Sequence, residues 1–181
     1  KQSLQSNVAL LDKIMYYIIK RKGKQMRPMF VFLSAKLFGD IEEKTYRAAA
    51  MIELLHTATL VHDDVIDEAN FRRGFFSINA IWKNKIAVLV GDFLYSRAFE
   101  LIVDINKEKV YKILAETTNQ ISQGEVIQLM VKDKIIDDTN KYLNIIYLKT
   151  GKLFEASAAV ASELAGGKCI EDAKSFGKNF G

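Results

Sequence analysis

Apolar residues recur along most of this chain at three- and four-residue spacing, and strand-like alternation between turns is hard to find. With one proline in 181 residues, the pattern predicts an all-α protein. A first helix is expected over 4–21, broken by Gly23. A second starts near Arg27-Pro28, where proline suits the first turn, and closes at Gly39. Asp40 with Glu43 reads as a capping box opening a third helix that runs through Val61. Residues 70–77 read as a loop, 86–105 as a core helix, and a further helix from about Lys109 includes 120–129. A last long helix is expected from Tyr142 to Ala165, stopped by Gly166-Gly167 and preceded by an N-cap at Asp137-Asp138-Thr139.

The third helix ends unusually. Residues 48–61 are apolar nearly all round, as in a buried helix, yet LVHDDVIDEANFRRG follows at 60–74. At about 100° per residue, Asp63 and Asp67 share a face, Asp64 lies about 60° from Asp67, and His56 is on the same stripe. Acidic residues at a helix end are ordinarily a solvated cap. Here the helix leading to them is apolar, the macrodipole adds to their repulsion, and Arg72 and Arg73 follow at once. All-oxygen ligation favours a hard cation such as Mg²⁺ held together with substrate phosphates, and guanidinium forks suit the same phosphates.

Other polar residues stand where apolar ones are expected. GKQMRP at 23–28 puts Lys24 and Arg27 at a helix entry, a natural anion site, although basic residues flank many helices. Lys149 and Thr150 fall inside an apolar helical pattern, where a lysine often only snorkels. Gln123, Glu125 and Gln128 line either a polar cleft or an exposed stripe. His56 and His62 lie about 120° apart, so they do not form an i,i+4 metal pair.

Composition narrows the class. A 49% apolar and 27% charged chain is an ordinary globular protein, and a net charge of +4 with mixed signs does not indicate nucleic acid. The single cysteine, Cys169, excludes an internal disulfide and fits a reducing, cytoplasmic compartment. The longest apolar window, 86–103, contains Asp92, Arg97 and Glu100, so it reads as a core helix rather than a membrane span.

Taken in order, GKQMRP, ELLHTATLVHDDVID, FRRG, GDFLYSRAF, GEVIQL and KTGKLFEASA resemble the trans-type polyprenyl diphosphate synthases over nearly the whole chain, most of all the long-chain, octaprenyl-type members. The resemblance implies a bundle of long helices around a deep cavity (the isoprenoid synthase fold), in one domain spanning 1–181, and a homodimer. It implies that Asp63, Asp64 and Asp67 belong to a Mg²⁺ site, with Asp63 and Asp67 as ligands gripping an allylic diphosphate. It places Arg72, Lys149 and Thr150 on that diphosphate, with Gln128 among the substrate-binding residues, and Lys24, Arg27, His56 and Arg73 on the diphosphate of isopentenyl diphosphate. Asp63, Asp64, Asp67 and Lys149 then carry the catalysis, and the lipophilic product is handed to a membrane. Ala58 and Thr59, both small, stand where short-chain relatives carry a bulky floor, so a long product is expected.

The family carries a second aspartate-rich motif on a later helix. This sequence stops at SFGKNFG, where the lead-in begins, so the expectation is a domain incomplete at its C-terminus, with activity of the piece itself in doubt. Two rivals stand. A non-catalytic subunit of a heteromeric synthase would lose acidic or basic site residues, which are present here. A helical metal-dependent phosphohydrolase would use His56, His62-Asp63 and Asp92, and needs a further histidine that this chain lacks.

Overall fold

The computed structural model describes residues 6–21, 23–132 and 138–181. The helices are α1 (Ala9–Lys20), α2 (Met26–Phe38), α3 (Glu43–Ile66), α4 (Ile78–Ile105), α5 (Glu108–Val131), α6 (Thr139–Ile146), α7 (Lys152–Leu164) and α8 (Ile170–Phe180). A π-helical turn, Tyr147–Gly151, joins α6 to α7, and two short strands, β1 (Phe71–Arg72) and β2 (Phe75–Phe76), form a hairpin. The chain divides into two compact units, Lys1–Gln25 with Glu53–Leu101 and Met26–Ile52 with Ile102–Gly181, so α3 and α4 each contribute to both.

The core of the first unit follows directly from helical spacing. Ala87, Val90 and Leu94 of α4 bury one face against Ile14 and Met15 of α1 and Ala58 and Val61 of α3. Each large apolar side chain fully buried here is worth about 1.5–3 kcal/mol. Tyr17 ties α1 to the rest: its ring meets Trp82 edge-on at 5.1 Å, and its hydroxyl donates to the Phe76 carbonyl at 2.6 Å.

In the second unit the central element is α7, buried on every side from Lys152 to Ser162. Its run of Ala156, Ser157, Ala158, Ala159 and Ala161 lets neighbours approach its backbone. α8 comes closest at Gly177, where a Cβ would sit 2.5 Å from the Phe154 carbonyl and 2.7 Å from the Glu155 Cα. Phe30 of α2 packs on Phe154, Phe176 and Phe180 with ring centroids 4.6–5.4 Å apart.

The all-α expectation holds, with five local corrections. The 70–77 loop is a hairpin, with Phe71 opposite Phe76 and Arg72 opposite Phe75 around the two-residue loop Arg73-Gly74. Both loop residues have positive φ, 53° and 80°, as a type I′ turn requires. Asp40 does not open α3 as a cap: it pairs with Lys36, and at the helix start the Glu42 N–H donates to Thr45 Oγ1 at 3.2 Å. α4 begins at Ile78, eight residues earlier than expected, with a break at Lys83. The expected helix from Tyr142 to Ala165 is three pieces, because the π turn inserts a residue's worth of extra backbone. α8 was not expected at all; its acidic first turn and Lys178 near its end suit the helix dipole. Residues 4 and 5 of the expected first helix, and Asp137 of the expected cap, lie outside the described residues; Asp138 does cap α6, accepting from Asn140 N at 2.9 Å.

Candidate active site

In the first unit, the end of α3 fixes the acidic residues. The helical turn continues to Asp67, whose N–H bonds to the Asp63 carbonyl at 2.8 Å, so Asp63 and Asp67 do share a face. The chain then closes in a Schellman arrangement: Ala69 N bonds to Asp64 O at 2.9 Å and Glu68 N to Val65 O at 3.3 Å, with Glu68 in the left-handed region at φ 51°. Asn79 and Ser77, at the start of α4, donate to the Ala69 carbonyl, and Asn79 also reaches the carbonyl of Asp64.

The three aspartates are not equivalent. Asp67 is exposed, the Asp63 side chain is 15% exposed, and that of Asp64 only 4%. Asp64 turns away to the hairpin, where Arg72 Nε and Nη2 both lie 2.7 Å from its Oδ1; Arg72 Nη2 is also 3.6 Å from Asp63. Burial raises the Asp64 carboxyl above its ordinary value of 3.8, Arg72 pulls it back, and Asp63 and Asp67 push it up again. The net direction is upward, so the pair with Arg72 does not fully offset burial.

Asp64, Arg72, Arg73 and His56 line one cavity of about 210 Å³, together with apolar residues such as Leu54, Leu60 and Val61. Gly23 is on the same wall, directly under the guanidinium of Arg73, so a Cβ there would displace the end of that side chain. Lys24 is exposed beside it and is not on the cavity wall. Ala58 is fully buried in the unit's core; Thr59 is half-buried, its hydroxyl donating to the His56 carbonyl at 2.8 Å. His62 is held away from His56, with Nε2 3.1 Å from the Val88 carbonyl and 3.3 Å from Asp92, its ring covering Gly91.

In the second unit, Lys149 and Thr150 sit on the π turn, a distortion often found at functional positions. Lys149 is half-buried and does not merely snorkel: Nζ donates to Gln128 at 2.8 Å and to Glu125 at 3.1 Å. Those two α5 residues therefore hold the lysine, while Gln123 is exposed and bonds to Asn119. Gly124, just before Glu125, allows the close approach, since a Cβ there would come within 2.7 Å of Leu148 Cβ. Arg27 of α2 lies over the Phe154 ring, 5.0 Å from its centroid. The sequence did not single out Glu125 as the lysine's partner or Asn79 as the helix-end anchor; spacing within one helix carries no signal for a partner on another.

Among the described residues no three His, Cys, Asp or Glu side chains converge as a self-sufficient metal site. Two carboxylates one turn apart on a helix end, all-oxygen and one of them exposed, nonetheless fit a hard cation that takes its remaining ligands from phosphate and water.

Residues 8–181 match the family model described as polyprenyl synthetase. The chain is 45% identical over 166 residues to the octaprenyl diphosphate synthase of Escherichia coli (strain K12), covering 91% of this chain and 51% of that protein. It is 42% identical over 182 residues to the all-trans-nonaprenyl-diphosphate synthase (geranyl-diphosphate specific) of Rhodobacter capsulatus, covering 99% and 56%. Among solved structures, a polyprenyl synthase from Caulobacter crescentus, complexed with calcium and isoprenyl diphosphate, superposes with a TM-score of 0.95 at 38% identity, covering 99% of this chain and 56% of that one. The chain thus spans about half the length of the curated relatives it matches. With its helices, its aspartate-rich helix end and these matches in agreement, the chain belongs to the polyprenyl synthetase family.

Proposed function

We propose that the protein containing this chain is a Mg²⁺-dependent trans-polyprenyl diphosphate synthase that adds isopentenyl diphosphate repeatedly to an allylic diphosphate. The observation that carries this reading is the cavity of the first unit, where Asp64, Arg72, Arg73 and His56 share a wall with Leu54, Leu60 and Val61. Such a wall suits a ligand that is anionic at one end and hydrocarbon at the other.

Asp63 and Asp67 would hold the metal, which when bound acts as a Lewis acid on the departing diphosphate. Arg72, kept in place by Asp64, and Lys149, kept in place by Gln128 and Glu125, are assigned with Thr150 to the allylic diphosphate. Arg73, His56, Lys24 and Arg27 are assigned to isopentenyl diphosphate. Cationic groups already oriented by the protein stabilise the charge that develops as the allylic C–O bond breaks, without reorganising at that moment. The double bond of isopentenyl diphosphate attacks the resulting allylic carbon, the released diphosphate takes the proton that is lost, and the chain is longer by five carbons. No protein nucleophile is needed.

Ala58 and Thr59, one turn or slightly more before Asp63, are assigned to product length. Ala58 has no exposed surface, so any larger side chain there must displace what lies against it. A homodimer working in the cytoplasm and delivering its product to a membrane completes the reading; among the described residues no helix is long and apolar enough to cross one.

The test is chromatography of dephosphorylated products from labelled isopentenyl diphosphate, an allylic primer and Mg²⁺, using the full-length protein. Products of about forty carbons are expected, because each added isoprene buries more apolar surface, and Ala58→Tyr should shorten them to about twenty. Asp63→Ala and Asp67→Ala should each lower turnover by at least about 10²-fold. A protein that makes no product, or stops at fifteen carbons, does not have this function.

A further inference from the structure

Arg21, directly after α1, belongs to none of the motifs that carry the family resemblance, yet it lines the same cavity as Arg72 and Arg73. Its placement is built rather than incidental. The guanidinium carbon lies 3.4 Å from the centre of the Tyr17 ring and 4.5 Å from that of Phe75. Tyr17 is itself fixed by its hydrogen bond to Phe76 and its contact with Trp82, so two elements, α1 and the hairpin, hold the cation. Ring contacts engage the face of a guanidinium and leave its N–H edge for an acceptor. Among the described residues Nη1 is buried without a hydrogen-bond partner and Arg21 forms no ion pair.

The charges around it point one way. The cavity wall carries three guanidinium groups against two carboxylates, Glu53 and Asp64, and Asp64 is already bound to Arg72. Arg73 covers Gly23, two residues beyond Arg21 in the chain, and lines the same cavity. A stacked cation that forms no ion pair among the described residues, lining one cavity with a second cation, is an arrangement that a multiply charged oxyanion completes.

We infer that Arg21 is a substrate-binding residue for the diphosphate of isopentenyl diphosphate, acting with Arg73. This rests on the function proposed above, and the experiment separates the two. In the full-length protein, Arg21→Met keeps an apolar stem between the rings and removes the charge; Arg21→Lys keeps a charge without the planar fork. Arg21→Met should raise the KM for isopentenyl diphosphate about 10- to 100-fold, the loss expected for a charge-assisted contact, with the KM for the allylic diphosphate and kcat within about threefold. Arg21→Lys should fall between the two. Binding of inorganic pyrophosphate, measured by calorimetry, should weaken in Arg21→Met in parallel. If the parent protein is inactive, the synthase reading fails, and pyrophosphate binding alone then decides the role of Arg21. A KM for isopentenyl diphosphate unchanged in Arg21→Met, equal changes in both KM values, or a lowered melting temperature with unaltered pyrophosphate binding would each overturn the inference and leave Arg21 as packing between α1 and the hairpin.

Discussion

Asp64→Asn and Arg72→Ala break the same contact and should have unequal consequences. Asp64 is 4% exposed and accepts from two nitrogens of Arg72 at 2.7 Å, while Arg72 itself is 33% exposed. Removing the arginine strands a buried carboxylate. Breaking a buried pair in this way typically costs about 3–5 kcal/mol, but the arginine's solvent contact and the readiness of Asp64 to take up a proton reduce it to about 2–3 kcal/mol. For a chain of this size that is a fall in Tm of about 4–12 °C. Removing the carboxylate's charge is different. Burial and the neighbouring Asp63 and Asp67 outweigh Arg72 in their effect on Asp64, so an uncharged isostere relieves more than it loses. Asp64→Asn should therefore leave Tm unchanged or slightly higher, within about 1 kcal/mol. Under the proposed function it should still lower kcat/KM, because Arg72, assigned there to the allylic diphosphate, loses the anchor that orients it. The assay is thermal unfolding followed by circular dichroism, with Mg²⁺ chelated so that only the protein's charges act, alongside steady-state kinetics of the same variants with Mg²⁺ present. If Asp64→Asn lowers Tm as much as Arg72→Ala, the pair is a net stabiliser and the reasoning fails.

Lys83 has φ 72° and ψ 160° within α4, a conformation almost confined to glycine and costing about 1–3 kcal/mol for other residues. Lys83→Gly should raise Tm by about 2–4 °C for each kcal/mol recovered, whereas Lys83→Ala should not; equal melting of the two variants would contradict the strain. A third prediction concerns alkali. Burial pulls Lys152 down, but Glu155, Tyr147 and Glu116 lift it above its ordinary 10.5 overall; burial and Glu155 both raise Tyr147 above 10.0. Both groups hold their protons more tightly when folded, so their contribution is complete below about pH 10 and is lost as pH rises through the folded values. Urea unfolding between pH 8 and pH 11, at about equal ionic strength, should show stability falling above pH 10 in the parent and less steeply in Tyr147→Phe/Lys152→Met; parallel curves would remove these residues as the cause.

The sequence alone determined the helical class, because apolar spacing near 3.6 residues needs only local geometry to be read. It also determined that Asp63 and Asp67 share a face, since they are one turn apart and the Asp67 N–H still bonds back to the Asp63 carbonyl, and the family resemblance rested on residues already in order along the chain. Tertiary structure decided what local geometry cannot encode. A helical wheel treats Asp63, Asp64 and Asp67 as one cluster; only the hairpin, by bringing Arg72 to Asp64, makes one of them buried and paired and leaves Asp67 exposed. The hairpin itself was hidden because Arg73, rather than the usual asparagine or aspartate, precedes Gly74 in its turn. Lys149 read equally well as a snorkelling surface residue until α5 supplied Gln128 and Glu125, and the π turn beneath it leaves no trace in periodicity because it displaces a single residue. To local pattern Arg21 is only one more base at a helix end. Its importance depends on two aromatic rings, one from its own helix and one from fifty-odd residues away, meeting around its guanidinium, and long-range contact of that kind is fixed by packing rather than by pattern.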